Sequence, residues 1–250
     1  MTQPEMTQSL DSRVIIETGD AFFTLRNPCA AFAVWEWAAE ETDSTERAEK
    51  ESEEVKVISA NETGSDTLIN ETSSDTLIND SDQHTQDEAT RPVVVYHVSS
   101  QHLITASPKF RTELTSWSES RKGEDEFYHI HTDDWDPESL EIVLNVLHLR
   151  FRQVPRSLDL ELLAEVAMLV DYYRCWEAFD LIADVWIKDI RKTQPVPKKY
   201  GRDLMLWMLI SWVFKLEAEF SLCTLRALRQ NDEPTLRDME LGIPPAILRR

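Results

Sequence analysis

The chain has 250 residues, 42% hydrophobic and 29% charged, and its 26 basic and 46 acidic residues give a formal net charge of −20. Its five glycines are too scattered to build a phosphate-cradling loop, and the negative charge argues against direct nucleic-acid binding. Residues 1–11 hold no basic stretch followed by an apolar one, and the longest apolar run, 204–214, is too short for a bilayer, so no secretory signal and no membrane span is expected. Cys29, Cys175 and Cys223 lie far apart, which suits free thiols in the cytoplasm or nucleus better than a disulfide frame.

In chain order, Val14-Ile15-Ile16 and Ala21–Leu25 read as short strands around Gly19. From Glu36 to Glu88 there are 17 acidic and three basic residues, and 40–90 holds no aromatic residue. Such a segment cannot bury enough apolar surface to offset its ordering entropy, so the composition predicts an acidic disordered insertion. Within it a nonapeptide, 62–70, is repeated at 71–79, far below the period of solenoid repeats. Val55-Lys56-Val57-Ile58, behind Glu51–Glu54, is similar to a SUMO-interacting motif, with Val55, Val57 and Ile58 as the apolar positions of an added strand. Chance apolar–acidic patterns are common in such linkers, which is the plainer account.

Val93–Val98 reads as the next strand. A helix capped by Ser99 or Ser100 then carries Leu103, Ala106, Phe110 and Leu114 on one face. Phe127–His131 alternates as a strand, and Asp136-Pro137 is a helix start for a face of Leu140, Val143, Leu144 and Leu147. Leu158–Val170 and a helix bearing Phe179, Ile182, Ala183, Trp186, Ile187 and Ile190 follow. After a break at Thr193–Pro197, Leu204–Phe214 is apolar nearly all round and predicts a buried helix, with Ser221–Arg229 a shorter one. A few strands followed by many helices is an α+β order.

The run Val98-Ser99-Ser100-Gln101-His102-Leu103-Ile104-Thr105-Ala106-Ser107-Pro108-Lys109-Phe110 resembles the BTB/POZ signature, and Gly19-Asp20 before Ala21–Leu25 resembles the opening of that family. Asp136–Leu147, and Leu162-Leu163-Ala164 through Asp171-Tyr172-Tyr173-Arg174-Cys175 to Trp186, resemble its later helices. The wording is nearest to the filamentous-fungal branch and covers roughly 20–27 and 93–192. The resemblance implies a small β-sheet flanked by a cluster of helices. The division it suggests is a tail and first strand in 1–27, the acidic insertion in 28–91, the BTB/POZ core in 92–192 and a helical extension in 193–250. The family often has a His where Ser99 stands, lining a pocket with the opening acid, here Asp20. Its swapped homodimer uses an extra N-terminal strand and helix, for which residues 1–19 offer at most a short strand, so that dimer is not the expected state.

For function the resemblance implies a non-enzymatic protein–protein interaction module, with a cullin-based ubiquitin ligase as the partner of an adaptor and the C-terminal helices as the client-binding part. Trp117-Ser118-Glu119 falls where such adaptors carry a hydrophobic-x-Glu contact, so Trp117 and Glu119 are the candidate partner residues, the alternative being a Trp packed on the core edge. A transcriptional co-regulator or scaffold in the nucleus is the second reading. His129, His131 and Asp133 alternate on one strand face like metal ligands, but without a visible fourth partner they read better as a solvent-facing side. His102 near Ser99, Ser100 and Ser107 lacks an orienting acid for nucleophilic catalysis. The stripe Met205, Trp207, Met208 and Trp212 reads as core, and the basic cluster Lys188, Arg191, Lys192, Lys198 and Lys199 as helix C-terminal charge. No catalytic residue, metal or cofactor is expected.

Overall fold

Alternation in the strands sets up one buried sheet face. A computed structural model describes residues 10–28, 31–35, 93–116 and 121–249. In β2 (Ala21–Arg26) and β3 (Val93–Val98), Ala21, Phe23, Leu25, Val94, Tyr96 and Val98 point to the core while their neighbours point away. These strands pair antiparallel with Phe23 opposite Tyr96. On the far side of β2, β4 (Tyr128–Asp133) runs parallel to it with Phe23 beside Ile130. β1 (Leu10–Val14) lies parallel to β3, giving the order β1-β3-β2-β4.

The first strand ends where the sequence reading had it begin. The Ile15 and Ile16 amides both donate to the His97 carbonyl, which closes the ladder, and the Arg150 guanidinium takes the carbonyls of Val14 and Ile15. Gly19 makes the turn into β2. A Cβ there would lie 2.5 Å from the Val98 carbonyl oxygen, so no larger residue fits without a shift.

Eight helices are found among the described residues. The single helix expected over Leu103–Leu114 is in fact two, α1 (Ser100–Ala106) and α2 (Pro108–Ser116). A residue before proline is pushed out of the helical region, and Ser107 takes extended backbone. Its hydroxyl then donates to the Tyr173 carbonyl and accepts from the Phe110 amide, starting α2.

α3 (Pro137–Leu147) starts as the Asp136-Pro137 pair predicts, with the Asp136 carboxylate accepting from the Ser139 amide at 2.8 Å. α4 (Leu160–Tyr173) is capped by Asp159, two residues later than expected, and the left-handed Arg174 turns the chain into α5 (Trp176–Thr193).

α6 (Arg202–Val213) is buried from Leu204 to Ser211. Trp212, taken as core, is instead 41% exposed and rests on Phe220. α7 (Glu217–Gln230) starts a full turn earlier than the sequence suggested. The chain then hooks back through Leu236, Leu241, Ile243 and the short α8 (Pro245–Leu248). Irregular apolar spacing between prolines gave no periodic signal for this hook. One hydrophobic cluster runs from Phe23 in the sheet to Trp207 in α6 and Leu248 at the end.

Trp186 anchors α5. It is 1% exposed, and its indole N–H donates to the Pro155 carbonyl at 2.9 Å. Trp186→Ala should cost about 3–5 kcal/mol in urea unfolding, as expected for a buried aromatic truncation; near-neutral stability would contradict the packing of this helix.

Candidate functional site

The sharp α4–α5 turn and the β4–α3 connection bring three large aromatic side chains to the surface. Tyr173, the last residue of α4, goes inward, its ring stacked on Phe110 at 4.4 Å and edge-on to Phe23. Tyr172 therefore goes outward and is 47% exposed. Trp135 lies 5.4 Å from the Tyr172 ring, and its indole N–H donates to Thr132 Oγ1. The Tyr173 hydroxyl donates to that same oxygen, so one buried atom ties the surface Trp to the core Tyr. Trp176, 39% exposed, is held by an N–H bond to the Asp171 carboxylate.

Charge surrounds these rings. The Lys109 ammonium sits 3.2 Å from the Tyr172 ring centroid and 3.8 Å from the Glu113 carboxylate. Glu161, Glu165, Met168 and Tyr172 follow at helical spacing along α4, with Asp136 near Glu165. Burial, and then the charges of Asp136, Glu161 and Asp159, push Glu165 up to about 7 against a smaller pull from Arg202. Arg202 is committed elsewhere, to Glu161 and to the carbonyls of Phe32 and Ala33. Rigid aromatics with an amphipathic edge, set among fixed charges, suit protein recognition. Sequence reading did not assemble this surface, because Lys109, Trp135 and Tyr172 are joined only by the tertiary fold.

The other candidates fall as follows. Trp117 and Glu119 lie outside the described residues, as do Val55, Val57 and Ile58; α2 ends at Ser116, one residue before Trp117. His129, His131 and Asp133 do share the outer sheet face, but the His129 Nε2 is taken by the Asp125 carboxylate at 3.0 Å. Among the described residues no group of three or more His, Cys, Asp or Glu is placed to hold a metal ion. The capping expected of the serines is corrected: Ser99 makes no side-chain cap, and Ser100 gives its amide and hydroxyl to Asp20. The His102 ring stacks on His148.

In the basic cluster, Arg191 and Lys192 do fall in the last turn of α5. Arg191 pairs with Glu219 beside a groove of about 300 Å³ lined by Pro195, Val196, Ala218 and Leu222. No described helix is long and apolar enough to cross a membrane. Comparison with protein-family models, with curated proteins and with solved structures finds no match.

The raised Glu165 makes stability pH-dependent. Its folded value, about 7, lies above the ordinary 4.5, so its contribution is complete below 4.5 and lost as pH rises through 7. Glu165→Gln should therefore stabilise the fold by about 1–3 kcal/mol at pH 8 and change little at pH 4.5. Melting curves at both values check this; an equal effect at both would contradict the burial of this charge.

Proposed function

We propose that this chain is a non-enzymatic protein–protein interaction module of the BTB/POZ type, working as a substrate adaptor for a cullin-based ubiquitin ligase. The observation that carries the reading is the aromatic surface of exposed Tyr172 and Trp176 with half-buried Trp135, flanked by Lys109 and Glu113. The helix that brings Lys109 over Tyr172 ends at Ser116, and Trp117 and Glu119, the pair the family resemblance nominates for the cullin contact, come next in the sequence. The order of elements also supports it: an antiparallel β2–β3 pair, two short helices, a strand parallel to β2, then three longer helices. On this reading α6 and α7 offer the client-binding part of the same body.

The adaptor reading predicts that the full chain binds the N-terminal domain of a BTB-recruiting cullin. Tyr172→Ala, and separately Trp117→Ala with Glu119→Lys, should each weaken binding about tenfold or more, the loss typical of a central interface residue. Titration calorimetry with folded variants measures this. Absence of binding by the folded wild-type chain would remove the adaptor role and leave the co-regulator or scaffold reading in front.

A further inference from the structure

The N-terminus of α1 is capped from outside the helix. A helix start leaves its first N–H groups without intrahelical acceptors, and the Ser99 side chain at the cap position supplies none. Two distant side chains take over. The Asp20 carboxylate, at the start of β2, accepts from the Ser100 amide and the Ser100 hydroxyl, each at 2.7 Å. His148, just past α3, accepts from the Ser99 amide at Nε2, 2.9 Å away.

These partners fix the state of the His148 ring. A backbone N–H only donates, so Nε2 is unprotonated and Nδ1 carries the proton, which it donates to the Leu144 carbonyl at 2.7 Å. A second proton would sit on Nε2 and face the Ser99 N–H, donor against donor. The ring is 5% exposed, so water cannot readily take over as the partner.

The groups facing the ring also oppose a positive charge. From α1, the His102 ring stacks on it at 5.1 Å, and Arg150, in the turn after α3, adds like charge. On the strand side, Asp20 is engaged by Ser100, with Lys122 as the cation that acts on it. Burial works against the Asp20 charge, yet the bonds from Ser100 outweigh it and hold the carboxyl below its ordinary range.

We infer that His148 is an acid-releasable cap on α1: protonation removes the acceptor of the Ser99 amide while Asp20 still holds the Ser100 amide. Burial pushes His148 down to about 4 from an ordinary 6.5, against the Leu144 bond, which favours the protonated ring, and with smaller downward pushes from His102 and Arg150. The contribution of the buried neutral ring to stability is therefore complete above 6.5 and lost as pH falls towards 4. The inference stands apart from the adaptor reading, since it concerns the cap and no partner.

The test is a nitrogen-15 NMR titration of the full chain from about pH 7.5 to 3.5, through the expected midpoint, following the His148 ring nitrogens and the Ser99 and Ser100 amides, beside His148→Gln. A glutamine oxygen can accept the same N–H and does not titrate. At pH 7.5 the ring should carry its proton on Nδ1. The Ser99 amide should shift in step with the His148 ring, with a midpoint about one unit or more below an ordinary histidine, while Ser100 moves little. The Ser99 step should vanish in the glutamine variant. A His148 that titrates near 6.5 with Ser99 unmoved, or a Ser99 step that persists in the variant, would overturn the inference. Should the variant fail to fold, the wild-type titration decides alone, because only a shared midpoint of ring and Ser99 amide satisfies it.

Discussion

The structure depends on covering α6. Leu204 to Ile210 present apolar side chains on every side of a helix, and all seven are buried. Such a helix has no solvent face to offer, so it must be wrapped. α4 packs along one side and α7 along another, while the Trp207 indole N–H is satisfied by the Gln194 carbonyl from the preceding loop. The polar Ser211 returns its hydroxyl to the Met208 carbonyl within the helix. Since α4 also packs on α3, and Tyr173 at its end touches Phe23 of the sheet, the requirement on α6 is passed to the strands through α4.

That continuity gives the surface its rigidity. Tyr172 projects outward because Tyr173 is locked inward between Phe110 and Phe23, and Trp135 is held by the Thr132 hydroxyl that also receives the Tyr173 proton. Surface aromatics fixed in this way, Tyr172 exposed and Trp135 half-buried, lose little conformational freedom on binding, which is what makes them effective anchors. Lys109 reaches Tyr172 from α2, whose first turn is set by Ser107, and Ser107 is bonded to Tyr173. The same few residues thus tie α1, α2 and α4 together beneath one patch.

Much of the fold was legible because its signals are local. Asp136-Pro137 marks a helix start by cap chemistry, and alternation in 21–26 and 93–98 marks half-buried strands. What was missed turns on longer-range or competing effects. Ser107 looks like helix interior until the steric demand of Pro108 is weighed, and β1 ends at Val14 because Ile15 and Ile16 share one carbonyl acceptor. The His148–Ser99 and Asp20–Ser100 bonds span 49 and 80 residues, and Trp135–Tyr172 spans 37 positions, so no periodicity could announce them.

The claim that one core carries both the sheet and the C-terminal helices is tested most directly by native-state hydrogen exchange under increasing denaturant. If the wrapping of α6 is what holds the molecule together, buried amides of α6, α4 and β2 will exchange with the same free energy and the same denaturant dependence, as one cooperative unit. If α6 and α7 open at distinctly lower free energy while β2 and β3 stay protected, the helices are a separable layer and the account is wrong.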